Sequence, residues 1–84
     1  MSNSTVVATV SRDGHTILDV RINLDATINP RRLACMMVLS ATGESPEGNI
    51  DWLEEHYTQA IANRQTVTFN LGDELITFCY EVLE

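Results

Sequence analysis

The sequence predicts an α+β fold, in which one four-stranded antiparallel sheet carries two helices on one face. Segments with strand-like composition occupy both ends of the chain, and two helical patterns lie between them. A short turn containing Asp and Gly separates the two strands at each end. The predicted order is therefore ββααββ. With 84 residues the chain has room for a single domain, residues 1–84, in which we expect residues 1–4 to form a flexible N-terminus.

The first strand pair is predicted from Thr5–Ser11, which is rich in β-branched residues, and His15–Leu24, which alternates apolar and polar residues. A two-residue Asp-Gly loop between them would place Ala8 opposite Asp19. A three-residue Arg-Asp-Gly loop would instead place Ala8 opposite Leu18, apolar against apolar. Because the pairing register decides which side chains enter the core, we predict the three-residue loop.

The period then changes to that of helices. Asn29 and Pro30 are typical of a helix start, and the apolar segment Arg31–Ala41 ends at Thr42 and Gly43. A second helix is predicted over 50–63, capped either by Asn49 or, one turn earlier, by Ser45. Its apolar stripe predicts one buried face. The stripe comprises Ile50, Leu53, Tyr57, Ala60 and Ile61.

The last strand pair, Gln65–Leu71 and Glu74–Leu83, is joined by a two-residue Gly-Asp turn that places Phe69 opposite Ile76. The face of the sheet away from the helices is then expected to be partly apolar. It should carry Val7, Thr9, Ile17, Thr66, Thr68, Leu75, Thr77, Cys79 and Leu83. Because a small domain gains core by oligomerising, this face predicts a homodimer.

The charge of the chain is strongly acidic. Five arginines and no lysine face 12 acidic residues, for a net charge of −7. This balance argues against direct binding to nucleic acid or to an anionic membrane. Residues 33–63 hold five of the acidic residues and no basic one. Such a block indicates either a solvated face that aids solubility or a surface that meets a basic protein.

Six residues are candidates for partner binding. They are Glu44, Glu47, Asp51, Trp52, Glu54 and Glu55. Trp52 lies off the apolar stripe of the second helix, as expected for either a residue at the edge of the core or an interface anchor. Arg31 and Arg32 form the only local basic patch, which could bind an acidic partner or a carboxylate of the same chain.

No pattern in the sequence predicts catalysis, a cofactor or a metal. Cys35, Cys79, His15 and His56 show none of the close pairing that zinc sites use. Cys35 lies in an apolar helix, where burial suppresses thiolate formation. We therefore predict no catalytic, cofactor-binding or metal-binding residues. A small enzyme that uses Cys35 or His56 is kept as the less favoured alternative.

These observations lead to a functional hypothesis. The chain is interpreted as a non-enzymatic, protein-binding module that acts on a basic or nucleic-acid-binding protein, as small phage-type accessory proteins and inhibitors do. A structural homo-oligomer without an inhibitory role is the alternative. The N-terminus has neither a basic segment nor a long apolar run, so we expect no signal peptide and a cytoplasmic location.

Overall fold

The computed structural model describes residues 3–83 and confirms the α+β fold, with one antiparallel sheet, two helices and the order ββααββ. The strands are β1 (Asn3–Arg12), β2 (His15–Asn23), β3 (Val67–Leu71) and β4 (Glu74–Leu83), and the helices are α1 (Pro30–Thr42) and α2 (Ile50–Asn63). The strand order is β2-β1-β4-β3, so the first and last strands of the chain are the central ones. Neither helix in this part of the chain is long and apolar enough to cross a membrane.

The N-terminal strand begins earlier than expected. Asn3 and Ser4, which we assigned to a flexible terminus, pair with Leu83 and Val82 of β4. The Ser4 and Tyr80 hydroxyls also share a hydrogen bond of 3.0 Å. Residues 1 and 2 of that predicted terminus lie outside the described part of the chain.

The register of the first hairpin differs from our prediction. The turn has two residues, Asp13 and Gly14, whose φ angles of 52° and 80° suit a type I′ turn. A β-bulge follows, with Ile17 as the extra residue on β2, and beyond it Ala8 lies opposite Val20. The bulge allows a two-residue turn and an apolar register in the same hairpin. The two loop lengths compared above both assumed regular pairing without a bulge.

The second hairpin matches the prediction. Phe69 lies opposite Ile76, and Val67 lies opposite Phe78. Gly72, the first turn residue, has a φ of 62°. β3 nevertheless begins at Val67, two residues later than the predicted Gln65.

Both helices occupy the predicted positions. The side chain of Asn29 accepts a hydrogen bond from the backbone N–H of Arg32 (3.3 Å), and Gly43 ends α1 with a φ of 77°. Asn49 precedes α2, but its side chain does not cap the helix. Its Nδ2 donates instead to the carbonyl oxygen of Ser45 (2.8 Å), which closes the loop before the helix.

The core lies between the helices and one face of the sheet. Its buried apolar residues are Val6, Ala8, Val10, Ile22, Ala34, Cys35, Val38, Leu39, Leu53, Tyr57, Ala60, Ile76 and Phe78. The buried apolar residues share one parity along each strand, so both helices pack on the same side. Tyr57 and Phe78 meet edge to face in the middle of the core, with ring centroids 5.3 Å apart.

The opposite face is more polar than its share of apolar residues suggested. Arg21 and Glu81 form a 2.5 Å ion pair between β2 and β4, across the central strand β1. The Thr68 and Thr77 hydroxyls approach to 3.4 Å. Leu75 is 43% exposed on this face, and the side chain of Leu83 lies outside what the structure describes. The homodimer through this face stays a prediction.

Candidate functional site

Helix α2 distributes the predicted acidic surface around its circumference. Its buried side, formed by Leu53, Tyr57 and Ala60, faces the core. Trp52 lies on the flank that meets β3, and Glu54 lies on the flank that meets α1. These two residues are two positions apart, so helical geometry places them on nearly opposite sides. The predicted partner-binding residues therefore do not form one continuous patch.

An aromatic cluster holds Trp52 in place. Its ring packs against His56 (centroids 4.6 Å apart, planes at 65°) and edge to face against Phe69 of β3 (5.1 Å, 84°). The His56 and Phe69 rings are 4.1 Å apart. Nδ1 of His56 donates to the carbonyl oxygen of Trp52 (2.8 Å), which fixes the imidazole. Trp52 remains 37% exposed, so the cluster presents a rigid aromatic surface to solvent.

The basic patch at the start of α1 is engaged within the chain. Arg32 forms an ion pair with Glu54 at 3.6 Å, and Nη1 of Arg31 donates to the Thr58 hydroxyl at 3.2 Å. The Glu54 side chain is only 18% exposed. Of the two roles considered for these arginines, the structure shows contacts within the same chain. Glu54 thus belongs mainly to the packing of α1 against α2.

Two further predicted residues lie before α2. Glu44 extends toward the second hairpin, where its Oε1 lies 3.4 Å from the position that a Cβ on Gly72 would occupy. Near the same hairpin, Nε of Arg12 donates to Oε1 of Glu74 at 2.9 Å. Glu47 is exposed in the loop between the helices. Neither Glu44 nor Glu47 is shown in contact with Trp52.

The acidic residues that remain on the outer side of α2 are Asp51 and Glu55, both exposed. Of these two residues, Glu55 lies nearer to Trp52 around the helix. Asp51 lies one turn before Glu55. Asp51 and Glu55 also line a wide, shallow depression beside α1, together with Arg31, Glu54, Thr58 and Gln59. Aromatic surface and neighbouring carboxylates suit a basic side chain, because the ring face attracts a cation and the carboxylates pair with it.

The two cysteines differ in burial. Cys35 is fully buried, and this burial, followed by the charge of Glu54, raises its pKa to about 12. Cys79 is half-buried and accepts a hydrogen bond from the Thr66 hydroxyl at 3.3 Å. Both are free thiols. Within residues 3–83 no group of three or more His, Cys, Asp or Glu side chains could hold a metal ion.

Phe69 belongs to this surface but was not among the predicted partner-binding residues. The strand pattern predicted only that Phe69 lies opposite Ile76, whereas its half-buried ring also packs against Trp52. A signal was available in the segment Val67–Leu71, which contains no charged residue. Comparisons with protein-family models, curated proteins and solved structures found no match to this chain.

Proposed function

We propose that this protein is a non-enzymatic interaction module that binds a basic protein through the outer surface of α2. The surface consists of Trp52, Asp51 and Glu55, supported by His56 and Phe69, and we call it the Trp52 surface. The observation that carries the proposal is the Trp52 ring, which packs against His56 and Phe69 and is still 37% exposed, on a helix whose residues Asp51 and Glu55 are also exposed. Tryptophan is among the residues most enriched in binding hot spots, and a ring fixed before binding loses little entropy in the complex.

The charge of the chain supports a basic partner. A net charge of −7 steers oppositely charged surfaces toward it and raises the association rate. A nucleic-acid-binding protein is the obvious class, because the carboxylates of α2 would stand where phosphates otherwise lie. Inhibition of such a protein, as by a phage-type accessory factor, would follow if the module occupied its nucleic-acid site.

The buried thiol supports a non-enzymatic role. A pKa of about 12 keeps Cys35 protonated at neutral pH, which removes its nucleophilic form. His56 uses one ring nitrogen to bond the Trp52 carbonyl and packs its ring on Phe69. Both residues of the enzyme alternative therefore have packing roles that account for them.

The test is capture of a partner by the immobilised chain, followed by mass spectrometry and kinetic measurement of the purified pair. Trp52→Ala should speed dissociation on the order of tenfold or more, as for an interface hot spot. The pair Asp51→Asn with Glu55→Gln should slow association and weaken its dependence on salt between about 50 and 300 mM, where screening grows markedly.

A matched control is Asp19→Asn with Asp25→Asn, which changes the net charge equally at exposed sites outside α2. If these control substitutions slow association as much as those on α2, only the overall charge matters and the Trp52 surface is not the binding site. Met36→Ala provides the corresponding apolar control on α1, since Met36 is 40% exposed. A measured turnover that depends on Cys35 or His56 in a folded variant would refute the non-enzymatic assignment.

A further inference from the structure

The outer edge of β3 has the properties of a strand-binding site. Residues that flank a two-residue hairpin turn form a hydrogen-bonded pair, and this bonding then alternates along the strand. Leu71 and Glu74 flank the second turn, so Leu71, Phe69 and Val67 bond to β4. The backbone N–H and C=O groups of Thr68 and Asn70 consequently point away from the sheet. Within residues 3–83 no strand pairs with this side of β3.

The two edges of the sheet differ in how they are protected. The same alternation places Asp19 and Arg21, which are both charged, among the outward-facing residues of β2. β2 also carries the bulge at Ile17, and charges and bulges at an edge discourage pairing with another chain. β3 has neither a charged residue nor an irregularity in its pairing, so it is the edge that remains open to an added strand.

We infer that the β3 edge binds an extended basic segment of the partner as an additional antiparallel strand. This inference deepens the proposed function, on which it rests, by naming the binding mode. Unpaired backbone donors and acceptors in a row specify an extended chain as the occupant. The charge of the protein favours a basic occupant. A second copy would be repelled, because it would bring its own net charge of −7 and its own Asp51 and Glu55 toward the same carboxylates.

The geometry also specifies one position of the added strand. Successive side chains of a strand point to opposite faces, so the residue opposite Phe69 lies on the helix side. It would stand beside the Phe69 ring, which is 5.1 Å from Trp52. An arginine here could stack on the indole and extend toward Glu55. The residues on either side of it would face Thr68 and Asn70, whose side chains are exposed on the polar face.

The inference is tested with a synthetic probe, a short capped peptide of alternating threonine and arginine. Nuclear magnetic resonance of the labelled protein should show slowed amide exchange at Thr68 and Asn70 when this peptide is added, together with a change in Trp52 fluorescence. A second peptide carries methyl groups on the backbone nitrogens that would face β3. It keeps the charge but loses those hydrogen bonds, and it should bind about tenfold more weakly or worse.

Two proline variants provide a matched pair. Asn70→Pro removes an outward N–H that would donate to a carbonyl of the added strand, and it removes no bond to β4. It should weaken binding of the unmethylated peptide without unfolding the protein, since edge strands tolerate proline. Asp19→Pro makes the corresponding change on β2, and it should bind the unmethylated peptide as well as Asp19→Asn does, which has the same net charge. Thermal unfolding verifies that each variant is folded. The methylated peptide tests the complementary hydrogen bonds on the unmodified protein, those that the peptide N–H groups would donate to the carbonyls of Thr68 and Asn70.

The outcomes separate the two proposals. Equal binding of both peptides in a Trp52-dependent and salt-dependent manner would overturn strand addition and leave the proposed function standing. Failure of the unmethylated peptide to protect Thr68 and Asn70 would also overturn strand addition, and capture of a partner through Trp52 would then stand by itself. A dimer in which β3 pairs with its own copy would replace the basic segment with a second chain and contradict the inference.

Discussion

Replacing Tyr57 by phenylalanine should stabilise this protein, because the hydroxyl of Tyr57 is buried without a hydrogen-bond partner. The side chain is 0% exposed, and its hydroxyl oxygen has no polar neighbour at bonding distance. An unpaired buried hydroxyl costs about 1–3 kcal/mol. Phenylalanine keeps the edge-to-face contact with Phe78 and leaves only a small void. We expect the free energy of unfolding to rise by about 1 kcal/mol at pH 7.

The gain should increase at alkaline pH. Burial, followed by the influence of Cys35, raises the pKa of Tyr57 from 10.0 to about 12. The folded protein therefore keeps the phenol proton while the unfolded chain loses it above pH 10. This difference in pKa contributes to the free energy of unfolding. The contribution is fully present below pH 10 and is lost as pH rises toward 12, at about 1.4 kcal/mol per pH unit. The phenylalanine variant lacks this loss, so its advantage should reach about 2.5 kcal/mol at pH 11.

The assay is urea unfolding at pH 7 and pH 11, followed by circular dichroism. Tyr80→Phe is the matched control, because it removes a hydroxyl that does have a partner, Ser4, at 3.0 Å. This control should lower the free energy of unfolding by about 1 kcal/mol. The reasoning would be refuted if Tyr57→Phe destabilised the fold at pH 7, or if its advantage over the unmodified protein did not widen at pH 11.

Three further predictions concern the helix ends, the thiols and the buried carboxylate. Arg64 ends α2 with a φ of 51°, so Arg64→Gly should be more stable than Arg64→Ala by about 1 kcal/mol in thermal unfolding, and equal stabilities would argue against strain at this residue. Cys79 should react with a thiol reagent in the native protein, while Cys35 should react only on unfolding. Mass spectrometry of the labelled peptides measures the order, and labelling of Cys35 before Cys79 would contradict the prediction. Arg12→Ala should lower the free energy of unfolding by about 1–3 kcal/mol, because it leaves the 8%-exposed Glu74 side chain without its guanidinium partner. Chemical denaturation measures that loss, and an unchanged midpoint would show that the ion pair contributes nothing.

Local patterns in the sequence determined the elements of this fold. Asn29, Pro30 and Gly43 bound α1 where their backbone preferences place them, because caps act over a few neighbouring residues. The turn after Leu71 fixed the register of β3 against β4 by the same short-range logic. The register of the first hairpin was not predicted, because the bulge at Ile17 makes the two-residue turn compatible with apolar pairing.

The candidate site was only partly predictable. Sequence identified Trp52 and the carboxylates of α2 as candidates, since residue type and charge can be read without coordinates. Tertiary structure decided which of them act together. It turned Glu54 toward Arg32, brought Phe69 of a distant strand beneath Trp52, and made β3 an outer strand of the sheet. Contacts between residues far apart in the chain depend on how whole elements pack, and neither helical periodicity nor strand alternation encodes which neighbour a side chain will meet.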